Sequence, residues 1–360
     1  MIDRSTNSIE PLLRVRHLST DFVGADGTVA HAVEDVSFDV YPSQTLGLVG
    51  ESGCGKTTTM MSLMRLLPAA GRITSGQVIF DGIDLLSITD RQMRHYRWRE
   101  MAMIFQSAMN ALNPVRKVSD QIAEAILLHG LMDHERADRR VEELLDLVGI
   151  AKARKDQYPH QYSGGMRQRA MIAMALACKP RLLFADEPTT ALDVMIQAQI
   201  LELLKTIQHE LDLAVILVTH DLGVVAEICD TVVVMYGGKV AEYGTIDVVY
   251  NSPQHPYTQR LLEAFPDLNH PGDQLASIPG YPPRLSELPP GCRFEPRCHA
   301  KIEACATVVP KLIDVSSKDT GRAVRRLDET PSLFSFQPSA FNMRHIAACH
   351  LCRGPEVIDP

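Results

Sequence analysis

Basic charge is what this 360-residue chain has little of: 36 Lys and Arg stand against 44 Asp and Glu, for a formal net charge of −8. A polyphosphate backbone or an anionic bilayer is bound through a basic surface, so general nucleic-acid and membrane-surface binding are excluded as its main activity. Long apolar runs are missing too. No stretch approaches the roughly 20 residues that would span a bilayer, and the N-terminal MIDRSTNSIEPLLRV lacks the charged-then-apolar layout of a secretory leader. The expectation is a soluble, cytoplasmic protein. Aromatic residues make up only 6%, but hydrophobic residues reach 45% and charged residues 22%, which excludes disorder or a fibrous repeat for most of the chain. Cysteine is sparse before residue 292, where only Cys54, Cys178 and Cys229 occur; Cys292, Cys298, Cys305, Cys349 and Cys352 follow. Of the 22 prolines, 14 fall from Pro256 onward. That shift divides the chain into a large α/β domain over residues 1–254 and a Pro-rich, Cys-bearing appendage over residues 255–360. The length allows about two domains at about 150 residues each.

The stretches Leu12 to Phe22 and His31 to Val40 alternate apolar and polar residues around a Gly24-Ala-Asp-Gly27 turn, which predicts two antiparallel strands. Thr45 to Val49 is a short apolar run, then a Gly-rich turn, then an apolar helix from about Lys56 to Leu67: a buried strand, a loop and a helix. Residues 133 to 149 predict a helix capped by Asp133 and ended by Gly149, with Val141, Leu144, Leu145 and Val148 on one face. Leu182 to Phe184 and Ala214 to Thr219 read as core strands. Asp193 caps a helix whose stripe is Ile196, Ile200, Leu203, Leu204, Ile207 and Leu211. Val232 to Tyr236 and Lys239 to Tyr243, joined by Gly237-Gly238, predict a hairpin.

Gly50-Glu-Ser-Gly-Cys-Gly55-Lys56-Thr57 matches the phosphate-loop pattern between a predicted strand and helix. Glycines let consecutive backbone N–H groups turn toward an anion, and the helix start adds partial positive charge. Lys56 would reach the β and γ phosphates, and the Thr57 hydroxyl would ligate Mg²⁺; the Cys54 side chain need not touch phosphate. Downstream, the apolar Leu182-Leu-Phe-Ala-Asp186-Glu187 ends in two carboxylates. Asp186 suits Mg²⁺, and Glu187 suits a base that polarises the attacking water. Between them, Ser163-Gly164-Gly165 begins another helix with its first N–H groups bared. One nucleotide needs one clamp, so two anion sites on a chain point to two chains packed head to tail, each completing the other's site.

With these motifs in place the chain resembles an ATP-binding-cassette ATPase subunit, and particularly those of the bacterial peptide importer family (dipeptide, oligopeptide, nickel and glutathione systems). The most specific stretch runs from Tyr158-Pro-His-Gln-Tyr-Ser-Gly-Gly-Met-Arg-Gln-Arg169 through Ala185-Asp-Glu-Pro-Thr-Thr-Ala-Leu-Asp193. The family signature usually reads Leu-Ser-Gly-Gly-Gln; Tyr162 and Met166 depart from it. The resemblance implies an α/β fold: a P-loop ATPase cassette with a RecA-like core, an antiparallel β subdomain and a helical signature subdomain, plus the C-terminal extension. It implies that Gly50, Ser52, Gly53, Gly55, Lys56, Thr57 and Thr58 contact ATP, that Ser163, Gly164 and Gly165 serve the paired site, and that Asp193 lies in the ATP-binding loop that communicates between the two sites. Gln106 would sense Mg²⁺ and the permease, and His220 would contact the γ-phosphate. Phe22 is the aromatic placed to stack on adenine, or equally a core residue. His255-Pro-Tyr-Thr-Gln-Arg-Leu-Leu resembles the branch's docking element after the core, or a Pro-led helix packing Leu261 and Leu262.

The implied function is ATP hydrolysis that powers import of a peptide-like solute. The implied partners are a second, homologous but non-identical ATPase subunit, two transmembrane permease subunits and an extracytoplasmic solute-binding protein, with no nucleic acid. The implied location is the cytoplasmic face of the inner membrane. The alternative class is a soluble cassette ATPase acting in DNA repair or on ribosomes. Such proteins carry two cassettes or a long coiled-coil insertion, whereas Ser163 here follows Lys56 by 107 positions. In the tail, Cys292-x5-Cys298-x6-Cys305 and a later Cys349-His350 are spaced too widely for paired zinc ligands. Four thiolates can hold a [4Fe–4S] cluster, and the tail resembles that of peptide-importer ATPases that match this pattern. The expected cluster ligands are Cys292, Cys298, Cys305 and Cys349, with zinc and buried thiols as alternatives and Cys352 as a spare.

Overall fold

The computed structural model describes residues 10–106, 111–190, 192–264, 277–316 and 344–352. Residues 1–9 of the stretch read for a leader, and Ala191 of the Ala-Leu-Asp sequence, lie outside them. The chain forms two compact units, Met1–Leu86 with Thr219–Pro360, and Ser87–Val218.

In the first unit, β1 (Leu13–Val23) and β2 (Val29–Val40) pair antiparallel, with Leu13 opposite Val40 and Val15 opposite Phe38. The alternation in the sequence becomes an inward face of Leu13, Val15, Leu18, Val33, Val36 and Phe38, all fully buried. β4 (Gly71–Phe80) and the short β5 (Ile83–Asp84) extend this sheet in the order β2-β1-β4-β5. β4 left no trace in the periodicity because its first seven residues are polar or half-buried. A second set of strands holds the phosphate loop. β3 (Thr45–Val49), buried throughout, runs parallel to β9 (Thr231–Tyr236), and β9 turns into β10 (Lys239–Thr245). The turn residues Gly237 and Gly238 have φ of +54° and +87°, the left-handed geometry that a two-residue hairpin requires. Two short strands, β11 (Ile313–Asp314) and β12 (Ile346–Ala347), complete the order β11-β12-β10-β9-β3.

The helices of this unit are α1 (Lys56–Leu63), α7 (Leu222–Ile228), α8 (Ile246–Asn251) and α9 (Pro256–Glu263). α1 stops short of the expected Leu67: Arg65 takes a φ of +52°, and Leu67 precedes Pro68, which disfavours helical backbone at that residue. α9 begins on its proline, where a missing N–H costs nothing. It buries Pro256, Tyr257 and Thr258, while Leu261 and Leu262 are only half-buried. Midway along β10, the fully buried Glu242 accepts the N–H groups of Gln254 (2.7 Å) and His255 (3.0 Å) and meets His345 Nε2 at 2.7 Å. A buried carboxylate is tolerated only with such partners.

The second unit carries three parallel strands, β6 (Met101–Ile104), β7 (Leu182–Asp186) and β8 (Ala214–Val218), in the order β6-β7-β8. β7 and β8 are buried at every residue, as the unbroken apolar runs predict for a parallel sheet. Its helices are α2 (Asp90–Tyr96), α3 (Val118–Leu128), α4 (His134–Leu147), α5 (Gly164–Ala175) and α6 (Val194–Glu210). α3, α4 and α5 pack on one another. α4 follows the sequence reading: Asp133 accepts the Arg136 N–H at 2.8 Å, and Val141, Leu144 and Leu145 are buried. α6 buries Ile200, Leu201, Leu204 and Ile207, whereas Leu211 of the expected stripe ends the helix in solvent.

Candidate functional site

The phosphate loop leaves β3 at Gly50 and enters α1 at Lys56. Its glycines answer different constraints. Gly50 has a φ of +145°, and a β-carbon there would stand 2.2 Å from the Met235 carbonyl oxygen. Gly55 has a φ of +107°, and its β-carbon would meet the Ala32 carbonyl oxygen at 2.3 Å. Gly53, at +79°, faces open space. α1 has no side-chain cap, so its first N–H groups are presented to whatever the loop encloses. Lys56 is buried, its ammonium donating to the carbonyls of Gly50 (2.6 Å) and Glu51 (3.0 Å). Thr59 Oγ1 donates to the Gly55 carbonyl at 3.0 Å and locks the first turn. Ser52 is exposed, and Thr57 and Thr58 are half-buried at the start of the helix. The Cys54 thiol is buried and pushed up by desolvation, consistent with a packing role. In the same unit, Phe22 sits half-buried near the end of β1, opposite Ala30 and Gly71. His220 is exposed just after Thr219.

The second unit gathers the carboxylates. Asp186 closes β7 with 2% exposure. Glu187 follows with a φ of +45°, a left-handed conformation that costs a non-glycine residue of order 1 kcal/mol. Its N–H is held by the Val218 carbonyl at 2.9 Å. Two donors converge on one oxygen of its side chain: Gln106 Nε2 at 2.8 Å and Thr190 Oγ1 at 2.9 Å on Oε2. Gln106 and Glu187 are thus brought together. As donor types, the Thr57 hydroxyl of the first unit and, in this unit, the Gln106 amide oxygen and the Asp186 carboxylate are each hard oxygens, a chemistry that suits Mg²⁺ and not a softer metal.

Also in this unit, Ser163 caps α5, its Oγ accepting the Met166 N–H at 3.3 Å. Gly164 and Gly165 form the first turn, and a β-carbon on Gly165 would come within 2.9 Å of Ile196 Cγ2 on α6. Asp193 is exposed and caps α6 through the Ile196 N–H at 3.0 Å. Tyr162, where the signature usually has leucine, is buried and donates its hydroxyl to the Arg154 carbonyl at 3.0 Å.

The cysteine tail requires a correction. Among the described residues, no group of three or more His, Cys, Asp or Glu side chains is placed to hold a metal ion, which overturns the [4Fe–4S] cluster expected on Cys292, Cys298, Cys305 and Cys349, and zinc with it. No disulfide joins any of the eight cysteines. Burial pushes the Cys292 thiol up to about 11 and raises Cys298. Cys349 is lowered to about 6 by a hydrogen bond from the Cys352 side chain, so the presumed spare residue is the one engaged. The segment is held instead by Tyr236, Tyr257, Phe294 and His255, whose rings lie 4.6 to 6.5 Å apart. Arg293 donates to the Gly237 carbonyl and to Glu34. Sequence reading missed Glu51, Tyr257 and Arg297, which meet at the phosphate loop; a carboxylate inside an anion-binding loop was the signal that a cation must stand beside it.

Comparison with known proteins follows this geometry. Residues 33–190 match the family described as "ABC transporter", and residues 241–305 match "Oligopeptide/dipeptide transporter, C-terminal region". The chain is 51% identical to the dipeptide transport ATP-binding protein DppD of Bacillus subtilis, over 84% of this chain and 91% of that protein. It is 47% identical to the oligopeptide transport ATP-binding protein OppD of Haemophilus influenzae, over 84% and 94%. Among solved structures, a bacterial ABC transporter cassette seen as a dimer superimposes with a TM-score of 0.58 at 26% identity, covering 65% of this chain and 98% of that one. The same cassette in a post-hydrolysis state bound to ADP and Pi gives 0.58 at 25% identity, with the same coverage.

Proposed function

The chain belongs to the ABC transporter family, in its branch of peptide-import ATP-binding proteins, and from that premise we propose how its residues divide the work. It is an ATP-hydrolysing subunit that energises peptide import, with each ATP held between two ATPase subunits. The loop N–H groups of Gly53, Gly55 and Lys56 and the Lys56 ammonium hold the β and γ phosphates, with Ser52, Thr57 and Thr58 contacting ATP and Phe22 against the adenine. Thr57, Gln106 and Asp186 would hold Mg²⁺, which would supply neutralisation of the phosphate charge. Glu187, oriented by Gln106 and Thr190, polarises the attacking water and takes its proton. His220 contacts the γ-phosphate. Ser163, Gly164 and Gly165 complete the ATP site of the other subunit, and Asp193 contributes to ATP binding from the loop that communicates between the two sites. Phosphoryl transfer here needs positioning and charge stabilisation with no covalent intermediate.

The partners belong to the same proposal: a homologous, non-identical ATPase, two permease subunits and an extracytoplasmic solute-binding protein, with this chain on the cytoplasmic face of the inner membrane. Among the described residues no helix is long and apolar enough to cross a membrane, so attachment would be through the permease. The division into a cassette over 1–254 and an extension over 255–360 is likewise proposed.

The observation that carries the reading is the uncapped, left-handed entry into α1 with Lys56 folded across it. In the assembled importer, Glu187→Gln is expected to lower turnover by roughly 10² or more while ATP still binds, and Lys56→Ala to weaken binding and abolish uptake. Wild-type hydrolysis by Glu187→Gln would remove Glu187 from the mechanism.

A further inference from the structure

Arg297 belongs to the C-terminal extension, 246 positions from Glu51, and its side chain is 5% exposed. Each guanidinium nitrogen is engaged. Nη1 and Nη2 form a fork onto the two Glu51 carboxylate oxygens at 2.5 and 3.0 Å. Nη1 also reaches the Tyr236 hydroxyl at 3.3 Å, Nη2 the Ile278 carbonyl at 3.2 Å, and Nε the Pro279 carbonyl at 2.9 Å. Glu51 is the second residue of the phosphate loop. Its backbone N–H donates to the hydroxyl of the fully buried Tyr257 at 2.9 Å, and its carbonyl accepts from Lys56. One loop residue is therefore gripped at its side chain and its amide by the extension, and at its carbonyl by the phosphate-binding lysine.

The charge makes this more than a tether. A carboxylate in a loop that receives a polyanion opposes its ligand by Coulomb repulsion. Planar, bidentate pairing with a buried guanidinium cancels that charge and fixes its direction, which a lysine does less well. Arg297 lies 5.8 Å from the Tyr236 ring centroid, and with its side chain 5% exposed and that of Glu51 26% exposed the pair is partly shielded from solvent and salt.

We propose that Arg297 is a positioning residue of the ATP site: it neutralises and orients Glu51, so that the C-terminal extension sets the affinity of the phosphate loop for ATP. This rests on the assignment of that loop as the ATP site. The test uses the full-length chain in its assembled importer, with KM for MgATP and kcat measured separately. Arg297→Gln is expected to raise KM at least about fivefold, because an uncompensated Glu51 charge then faces the phosphates, with kcat changed less than twofold. Arg297→Lys, which keeps the charge and the stem, is expected to fall between wild type and Arg297→Gln. Adding Glu51→Gln to Arg297→Gln is expected to bring KM back to within about twofold of Glu51→Gln alone, since no carboxylate remains to neutralise. A role limited to tying down the extension predicts no such rescue, and a double variant as impaired as Arg297→Gln overturns the proposal. So does an unchanged KM in Arg297→Gln. If Arg297→Gln does not fold, Arg297→Lys decides the matter: a KM equal to wild type overturns the proposal. Lys56→Ala is run alongside; if it hydrolyses ATP as wild type does, the ATP-site assignment itself has failed, a result distinct from the Arg297 outcomes.

Discussion

Two helices of this protein begin with glycines suited to an anion, and they are built in opposite ways. α1 starts on Gly55, in left-handed backbone with no side-chain cap. α5 starts on Ser163, in extended backbone, with its hydroxyl already on the Met166 N–H. At α1 a capping side chain would fill the place that the proposed function gives to phosphate, and there the ligand itself would serve as the cap. At α5 the serine satisfies one amide and leaves the Gly164-Gly165 turn to a second contact. The crowding differs as well. Gly55 is pressed by a backbone oxygen that cannot move, whereas Gly165 is pressed by the Cγ2 methyl of an isoleucine side chain. The difference separates a site made by backbone geometry from one made by side-chain chemistry. A third start, at α9, has no glycine and is capped by a ring. There His255 Nδ1 accepts the Tyr257 N–H at 3.0 Å, a cap that works only while the ring is neutral.

The sharpest way to break this contrast is Gly55→Ala. The left-handed φ and the Ala32 oxygen together are expected to cost about 3 kcal/mol or more, and ATP binding measured by calorimetry should be lost. Wild-type binding would mean that the uncapped start is not the phosphate site. Acid tests the histidine cap. His255 is lowered from 6.5 to about 4 by desolvation, against the pull of Glu242. Between those values the unfolded chain takes up a proton that the native chain refuses, so stability falls as pH drops from about 6.5 to 4, by up to ~3 kcal/mol, and is fully present above pH 7. In melting experiments the advantage of wild type over His255→Asn should shrink across that window; a constant difference would contradict the assignment. The smallest effect belongs to α5. Ser163→Ala is expected to cost about 1 kcal/mol of stability, read as a lower melting temperature, and a loss above ~3 kcal/mol would mean that Ser163 does more than cap.

Local signals were legible and distant ones were not. The β3–loop–α1 unit was readable because strand, glycines and helix are consecutive and each leaves its own pattern. The β1–β2 pair was readable because one buried face imposes a period of two. α4 announced itself through Asp133, its apolar stripe and Gly149. By contrast, the polar start of β4 hid that strand, and Leu261 and Leu262 suggested a packing face for α9 that Tyr257 supplies instead. The cysteines were read by spacing and by resemblance, which constrain order along the chain and not approach in space. The extension's real core of Tyr257 and Phe294 draws on residues widely separated in sequence, so no window could contain it. Glu51 and Arg297 share that difficulty. Their pairing is a matter of topology, and only the charge of Glu51 hinted that a counter-charge was due.

Glu242 has a consequence for how this chain can be shortened. Its carboxylate lies inside β10, and the partners that make it tolerable, Gln254, His255 and His345, all come later in the chain. Severing the chain after Pro253 would therefore remove every one of those partners, and β12 that pairs beside it, and leave the carboxylate with none of the donors that satisfy it in the native chain. The strand is written in advance for a segment that follows it. A trimmed cassette would need position 242 rewritten as a neutral residue before it could stand alone, and a foreign tail grafted at this junction would have to bring its own donors to the same carboxylate.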